Sequence, residues 1–207
     1  MQSNNTEPKP CNFFAHYLGR IVMYLTGWTV VSDIPKHQKM IVIAAPHTSN
    51  WDFIYLLGAA YVLRLRINWL GKNSLFLPLF GSFLKFLGGV PVDRSQSNNL
   101  VQNLAKTINT ADQFALVVPP SGTRKRTDYW KSGFYRIATT AQIPVVCGYL
   151  DYEKKEAGLK QSFLPSGEVS EDMDRLRAFY QNIVGKHPEN TSRIRLREED
   201  AKDSGER

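Results

Sequence analysis

Short apolar runs rich in β-branched residues alternate along the chain with longer segments of helical periodicity. The apolar runs predict buried strands at residues 40–45, 67–71, 115–118 and 144–150. The helical segments lie at residues 12–27, 50–64, 75–87, 97–109, 132–142 and 171–185. This alternation predicts a single α/β domain with a mostly parallel central sheet flanked by helices.

The two ends of the chain differ from this pattern. Residues 1–11 are mostly polar, and residues 188–207 mix opposite charges with few apolar side chains, so we expect both ends to be flexible. The domain then covers residues 12–187. A chain of 207 residues, 43% of them hydrophobic, can bury a sizeable core, which excludes disordered and fibrous classes.

The first predicted helix, at 12–27, is amphipathic. Its apolar stripe consists of Phe14, Leu18, Ile21, Leu25 and Trp28. The stripe could pack on the sheet, or it could lie at a membrane interface with Tyr17, Tyr24 and Trp28 at headgroup level. We favour the interface because the helix is rich in aromatic residues and the domain is basic.

Charge favours an anionic partner. The net charge is +7, and residues 188–207 carry one more acidic than basic side chain, so residues 1–187 carry +8. Nucleic acid, an anionic membrane and a phosphorylated substrate all fit such a surface. The longest uncharged run, residues 137–150, contains a proline and is too short to span a membrane.

Compartment and redox state follow from the remaining signals. Residues 1–10 do not have the pattern of a secretory signal, and Cys11 and Cys147 are too far apart for a metal-binding motif. We therefore expect a cytoplasmic protein, peripherally bound to the membrane, with no spanning helix.

The segment after the strand at 40–45 carries the most informative polar residues. His47 and Asp52 are five positions apart, which on a regular helix separates two side chains by roughly 140°, so they cannot pair within one helix. His47 must therefore precede the helix. With Ser49 as the N-cap, Asp52 lies at N3 and can reach back to the imidazole, which frees the other ring nitrogen as a general base.

Simpler interpretations of these residues remain open. Asp52 can be an ordinary capping acid, and His47 can be a loop histidine bonded to backbone. Its position after a buried strand favours a ligand site, since α/β proteins bind ligands at the carboxyl edge of the sheet. Ser49 could suggest a Ser-His-Asp hydrolase, but no G-x-S-x-G motif accompanies it.

Four short motifs follow one another through the middle of the chain. They are the H-x-x-x-x-D pair of His47 and Asp52 with Gly71 and Lys72 after it, G-V-P-V-D-R at 89–94, P-S-G-T-R at 120–124 and I-P-V at 143–145. With K-S-G-F at 131–134, the series resembles the four-block pattern of glycerolipid acyltransferases, the family of 1-acylglycerol-3-phosphate acyltransferase, over about residues 39–150.

The resemblance implies the substrates. Family members transfer an acyl chain from acyl-CoA or acyl carrier protein to a glycerophosphate hydroxyl, at the membrane surface and without a covalent enzyme intermediate. A lysophospholipid, above all lysophosphatidate, is then the expected acceptor. We predict no metal and no cofactor besides the acyl donor. The third block departs from the family pattern, because Ser121 replaces a glutamate thought to arrange the acceptor site, which puts acceptor identity in doubt.

The catalytic roles can be argued from residue types. A neutral imidazole suits removal of a hydroxyl proton, so we predict His47 as the base and Asp52 as its partner. Amides at the start of the 50–64 helix, or Lys72, could stabilise the oxyanion. Lys72 could equally be a solvated lysine at a strand end.

The acceptor phosphate requires fixed cations. Arg94 and Arg124 are the candidates, because guanidinium groups position a phosphate through paired hydrogen bonds. Without the resemblance, Arg94 could pair with Asp93, and Arg124 could lie in a solvated basic loop. The third block adds Ser121, Gly122 and Thr123 to the predicted substrate-binding residues.

Other functions and roles are weighed against these. The segment at 75–87 is apolar nearly all round, so it could be core or could contact acyl chains or membrane. A lipid-binding relative with a decayed site, marked by Ser121, is one alternative function, and acylation of a different acceptor is another. We expect no nucleic-acid partner, because no recognisable motif for one accompanies the basic cluster at 124–126.

Overall fold

The computed structural model describes residues 12–34, 36–78, 81–92 and 97–203. The helices are α1 (Phe13–Leu25), α2 (Trp51–Val62), α3 (Gly81–Phe86), α4 (Ser97–Thr110), α5 (Gly133–Ala141), α6 (Val169–Tyr180) and α7 (Arg197–Asp203). The strands are β1 (Thr29–Ser32), β2 (Lys39–Ala44), β3 (Ile67–Lys72), β4 (Gly89–Val92), β5 (Phe114–Val118), β6 (Val145–Asp151) and β7 (Glu156–Phe163).

The strands of the described residues form one sheet in the order β1-β7-β6-β2-β5-β3-β4. Neighbouring strands are parallel, except that β6 and β7 are antiparallel. The predicted mostly parallel α/β sheet is thereby confirmed. Because β2 lies between β6 and β5 and all three run in parallel, the loops that follow them emerge at one edge of the sheet.

Alternate side chains of β2 enter separate cores on the two faces of the sheet. Ile41 and Ile43 belong to a cluster with α4, α5 and α6 on one face. Met40 and Val42 belong to a second cluster, which includes Ala60 of α2, on the other. Burial on both faces explains why these strands are continuously apolar in sequence.

Most predicted elements are confirmed, and one is wrong. The four predicted strands correspond to β2, β3, β5 and β6, each within one residue at either end. The single helix predicted at 75–87 is replaced by a 3₁₀ turn at Asn73–Leu75 followed by α3. Pro78 lies inside the predicted helix, where it lacks the N–H that a helix needs and disfavours helical backbone before it.

α1 packs mainly against α2. Gly19 allows the close approach, since a Cβ atom there would lie 2.7 Å from the Cβ of Tyr61. Met23 is buried at the same contact, and the predicted stripe is exposed from Phe14 to Leu25. Packing of that stripe on the sheet is therefore wrong. The predicted interfacial position of Trp28 is also wrong, because its side chain is only 7% exposed and does not share the exposed face of α1.

The predicted flexible tail is wrong as far as residue 203. Leu196 has no exposed surface and belongs to the largest core cluster, in which it packs with residues of α5 and α6. The carbonyl of Arg195 accepts a hydrogen bond from the backbone N–H of Trp130 at 2.8 Å. Residues 188–203 are thus part of the domain. Residues 204–207 and the flexible start predicted at 1–11 lie outside the described residues.

None of the helices in the described residues combines the length and the apolarity needed to cross a membrane.

Candidate active site

His47 lies in the loop between β2 and α2, at the carboxyl edge of the sheet. Its Nδ1 atom is 3.0 Å from Oδ2 of Asp52. The same oxygen accepts hydrogen bonds from the backbone N–H groups of Thr48 at 2.9 Å and Ser49 at 3.0 Å. The contact predicted from the five-residue spacing is therefore present.

The start of α2 has the capping bonds predicted for Ser49 and Asp52. The regular helix begins at Trp51, but Asn50 already has helical backbone angles and makes no side-chain cap, whereas the N–H of Ser49 bonds to Asp52 as in a capping box. The hydroxyl of Ser49 accepts a hydrogen bond from the N–H of Trp51 at 3.2 Å. Of the amides at the start of this helix, those of Trp51 and Phe53 already donate to Ser49 and Asn50 within the protein; the predicted oxyanion role of this helix start stays a prediction.

Asp52 has a further partner that sequence reasoning missed. The hydroxyl of Tyr152 donates to Oδ1 of Asp52 at 2.7 Å. Tyr152 directly follows β6, whose carboxyl end lies at the same edge of the sheet as that of β2. Its position after a buried parallel strand was the only signal in the sequence that could have found it.

The hydrogen bonds decide the charge of Asp52 and the tautomer of His47. Burial raises the pKa of Asp52, but the bonds from His47, Tyr152 and the amides of Ser49 and Thr48 outweigh this effect and lower the pKa below its usual value. Asp52 is therefore an anion at neutral pH and can only accept hydrogen bonds. Nδ1 of His47 must carry a proton, which leaves Nε2 of the neutral ring as a proton acceptor.

The loop after β5 carries the third block. Arg124 donates a hydrogen bond to the side-chain oxygen of Asn50, which links this loop to the start of α2. Gly122 has a φ of +67°, and a Cβ atom there would lie 2.9 Å from Cε of Lys131. Glycine suits this position because the backbone is left-handed, a conformation that glycine adopts without steric cost.

Ser121 is buried and bonds within its own loop. Its hydroxyl donates to the carbonyl oxygen of Thr123 at 2.8 Å. It borders a small cavity of about 20 Å³ together with His47, Trp130, Tyr180 and residues of the C-terminal segment. The residue at which the third block departs from the family pattern thus lines a second, smaller cavity that His47 also borders.

A much larger cavity, of about 880 Å³, opens beside His47. Its inner wall is apolar and comes from α2 and the sheet; it includes Val42, Leu56, Ala60, Leu63, Ile67 and Val117. Its polar lining includes His47, Asp52, Arg124, Lys131 and Arg136. The apolar residues are mostly buried and the three cationic side chains are exposed, so the polar groups form the rim of an apolar cavity.

The structure brings together some of the predicted site residues. His47, Asp52, Gly122, Thr123 and Arg124 all line the large cavity. Lys72 is exposed at the end of β3, and neither it nor Ser121 is among the lining residues. Arg94, with Asp93, lies outside the described residues. Lys131 and Arg136 were missed as site residues, and Lys131 belongs to the K-S-G-F run already noticed.

Comparison with known proteins now decides the family. The family model described as Acyltransferase matches residues 29–150, more than half of the chain. The chain belongs to this acyltransferase family. The predicted resemblance is confirmed, and its range of about 39–150 lies within the matched residues.

Two relatives of this acyltransferase-family chain are informative. It is 25% identical over 144 residues to 1-acyl-sn-glycerol-3-phosphate acyltransferase of Streptococcus pneumoniae, covering 65% of this chain and 52% of the relative. The chain therefore spans about half the length of that relative. The crystal structure of the 1-acyl-sn-glycerophosphate acyltransferase PlsC from Thermotoga maritima matches 82% of this chain and 75% of its own, with a TM-score of 0.53 and 21% identity. This second match supports the fold.

Proposed function

We propose that this chain is an O-acyltransferase that moves a fatty acyl chain from acyl-CoA or acyl carrier protein to the hydroxyl of a lysophospholipid, most suitably 1-acylglycerol-3-phosphate. The observation that carries the proposal is the pairing of His47 with Asp52 beside a large apolar cavity with a cationic rim. A fatty acyl chain matches the apolar wall, and a phosphate matches the rim. The name of the Streptococcus pneumoniae relative supports the same acceptor.

Proton transfer is the step that the His47–Asp52 pair can perform. Nε2 of His47 removes the proton of the acceptor hydroxyl while its oxygen attacks the carbonyl carbon of the acyl thioester. The tetrahedral intermediate then breaks its C–S bond, and the imidazolium returns the proton to the departing thiolate. Asp52 holds Nδ1–H and stabilises the imidazolium while remaining ionised.

The cationic rim gives the anionic acceptor a defined place. Arg124, Lys131 and Arg136 line the same cavity as His47, and Arg124 is tied to the start of α2 through Asn50. A guanidinium can bind two phosphate oxygens at once and so fixes orientation. We assign phosphate binding to Arg124 and Lys131, with Arg136 adding positive charge.

An assay with defined lipids tests both the activity and the role of Arg124. Purified protein is incubated with lysophosphatidate or lysophosphatidylcholine and either donor, and acylated product is followed by mass spectrometry. We expect product with lysophosphatidate, and Arg124→Ala should raise the KM for it roughly 10-fold or more, the loss of one charge-assisted hydrogen bond.

Two results would count against this assignment. Absence of product with every acceptor and donor would favour a lipid-binding relative without activity. Arg126→Ala serves as the control, because Arg126 is an exposed cation two residues along the same loop and outside the cavity lining. Equal KM values for wild type, Arg124→Ala and Arg126→Ala would place the phosphate elsewhere.

Peripheral membrane binding is the second part of the proposal. The outward face of α1 exposes Phe13, Phe14, Tyr17, Leu18, Ile21, Tyr24 and Leu25. The segment at 75–87 adds exposed side chains at Leu75, Leu77, Phe83 and Phe86, which is why we favour membrane contact over a core role for it. Apolar and aromatic side chains on a basic domain are suited to an anionic bilayer surface.

Vesicle binding should depend on the exposed face of α1. We expect the double variant Tyr24→Ser, Leu25→Ser to bind phosphatidylglycerol vesicles at least 10-fold more weakly, because these side chains are 84% and 76% exposed and contribute little to the core. Added salt should weaken the binding of the wild-type protein to these vesicles, because it screens the attraction between the basic domain and the anionic lipid. Cosedimentation measures both effects, with Leu164→Ser as an exposed control on another surface. Binding that ignores the α1 variant and salt would refute the anchor.

A further inference from the structure

The two oxygens of Asp52 have separate sets of partners. Oδ2 accepts hydrogen bonds from Nδ1–H of His47 and from the backbone N–H groups of Thr48 and Ser49, all in the loop before α2. Oδ1 accepts a hydrogen bond from the hydroxyl of Tyr152, which lies 100 positions later in the chain. The carboxylate is therefore held between two elements, and the bond from Tyr152 is the contact that comes from outside its own loop and helix.

The backbone around Tyr152 is fixed independently of Asp52. The N–H of Tyr152 donates to the carbonyl of Val184 at 2.8 Å. The preceding side chain, Asp151, is buried and accepts hydrogen bonds from the amides of Glu153 and Lys154 at 3.1 and 3.3 Å. This turn between β6 and β7 can therefore hold the hydroxyl in place without depending on the bond it makes.

The ring of Tyr152 is fixed as well. It meets the rings of Trp28 and Tyr55 edge to face, with centroid distances of 4.9 and 5.9 Å, and those two rings stack on each other at 4.5 Å. Burial and the bond to Asp52 raise the pKa of Tyr152, so the hydroxyl remains a donor over the whole range in which an enzyme of this kind is assayed.

We propose that Tyr152 is a positioning residue for the reaction: it locks the Asp52 carboxylate from the side opposite His47, and thereby orients the His47 ring. This proposal rests on the proposed function. Without the hydroxyl, Oδ1 loses its donor and the carboxylate is held through Oδ2 alone, so the partner of His47 is less firmly oriented. Tyr152 is not among the residues that line the large cavity, so it acts through Asp52 and not on the substrate.

Tyr152→Phe separates positioning from packing because it keeps the ring and removes only the donor. We expect kcat to fall about 10- to 100-fold, the loss typical of removing a group that orients a histidine, while the KM for lysophosphatidate stays within about 2-fold. With one hydrogen bond fewer, the Asp52 carboxylate would also attract the protonated imidazole of His47 more strongly and so favour the imidazolium. The acid limb of the pH profile of kcat/KM should therefore move to higher pH.

The other charged groups near this pair are unchanged by the variant. They are Arg124 and Lys131 at the cavity rim, Lys186 over the ring of Trp51, and His187, whose N–H donates to the hydroxyl of Thr48. Tyr135→Phe is the matched control, since its hydroxyl also donates to a buried carboxylate, that of Asp172, but on α5 and outside the cavity lining. It should leave kcat and the pH profile as in wild type.

A second measurement keeps the test independent of activity. The ¹⁵N and ¹H signals of the His47 ring, followed by NMR, report its tautomer and titration, and Tyr152→Phe should move that titration to higher pH. A 3-fluorotyrosine at position 152, a stronger donor with the same ring, should move it to lower pH. If wild type proves inactive, the proposed function fails while this titration still tests Tyr152.

A lower kcat with unchanged KM, together with the shifted titration, supports positioning. Unchanged kcat and unchanged titration in Tyr152→Phe would overturn the proposal, as would an equal loss in Tyr135→Phe. If Tyr152→Phe does not fold, the fluorotyrosine protein decides, and an unmoved His47 titration there also overturns the proposal.

Discussion

Replacing His47 by alanine should slow acyl transfer by about 10²- to 10⁴-fold, the usual contribution of a general base. The structural reason is that Asp52 fixes the Nδ1–H tautomer and leaves Nε2 as the basic atom beside the cavity. The variant should keep its fold, because His47 lies in a loop and is absent from the core clusters.

Initial rates with lysophosphatidate and the preferred donor, measured across pH, provide the test. The variant should also lose the dependence of rate on imidazole protonation that wild type shows. His37→Ala is the matched control: its ring bonds to the hydroxyl of Ser162 at 3.1 Å, at the opposite edge of the sheet. Wild-type turnover in a folded His47→Ala protein would exclude this mechanism.

Asp52→Asn should fall between wild type and His47→Ala. An amide can still accept hydrogen bonds through its oxygen, but it has no charge with which to stabilise the imidazolium. Because the pKa of Asp52 is lowered by its hydrogen bonds, the carboxylate stays charged throughout the assay range, and the contrast with asparagine should persist at every pH tested. Combining Asp52→Asn with Tyr152→Phe should add little further loss, because Tyr152 acts through Asp52.

The sequence was sufficient for the elements whose pattern is local. β2, β5 and β6 are apolar except for Lys39 and Asp151 at strand ends, and the H-x-x-x-x-D spacing predicted the contact between His47 and Asp52 across a helix start. β1, β4 and β7 escaped prediction for physical reasons. β4 is a short strand at the edge of the sheet that contains Pro91, and β7 carries polar residues on a strand near the other edge.

The parts of the site that sequence missed depend on tertiary contacts. Tyr152 reaches Asp52 because β6 and β2 are neighbours in the sheet, a pairing that no local pattern encodes. Ser121 bonds to the carbonyl oxygen of Thr123 across Gly122, whose backbone is left-handed. Motif reasoning treated all of the third block as substrate-binding and could not separate Ser121 from Gly122, Thr123 and Arg124, which line the large cavity.

The C-terminal segment is the clearest case in which composition misled. Residues 188–203 are rich in charge, yet the charges pair with the domain: Arg177 donates to the carboxylate of Glu199 at 2.8 Å, and Tyr129 donates to Asp200 at 2.6 Å. Leu196, among the few apolar residues of the segment, fills a fully buried position. A buried leucine together with these pairings holds in the domain a segment that a composition average assigns to disorder.

We therefore expect Leu196→Ala to lower the free energy of unfolding by about 2–5 kcal/mol, the range for truncating a fully buried leucine. Ending the chain after His187 should destabilise the domain at least as much, because it would also uncover Trp130 and remove the carbonyl of Arg195 that accepts its N–H. Urea unfolding followed by tryptophan fluorescence measures both changes, and Leu164→Ala, at an exposed position, should stay within about 0.5 kcal/mol of wild type.

The same variants connect stability to the site. Trp130 is directly followed by Lys131, whose N–H bonds to the carbonyl of Pro120 at 2.8 Å, so the C-terminal segment lies behind the loop that carries Arg124. Under conditions where Leu196→Ala remains folded, we expect a raised KM for lysophosphatidate with the pH profile of His47 preserved, since the rim and not the His47–Asp52 pair is disturbed. If Leu196→Ala and the shortened chain both unfold at the same urea concentration as wild type, the C-terminal segment does not stabilise the domain, and the flexible tail predicted from composition would be correct.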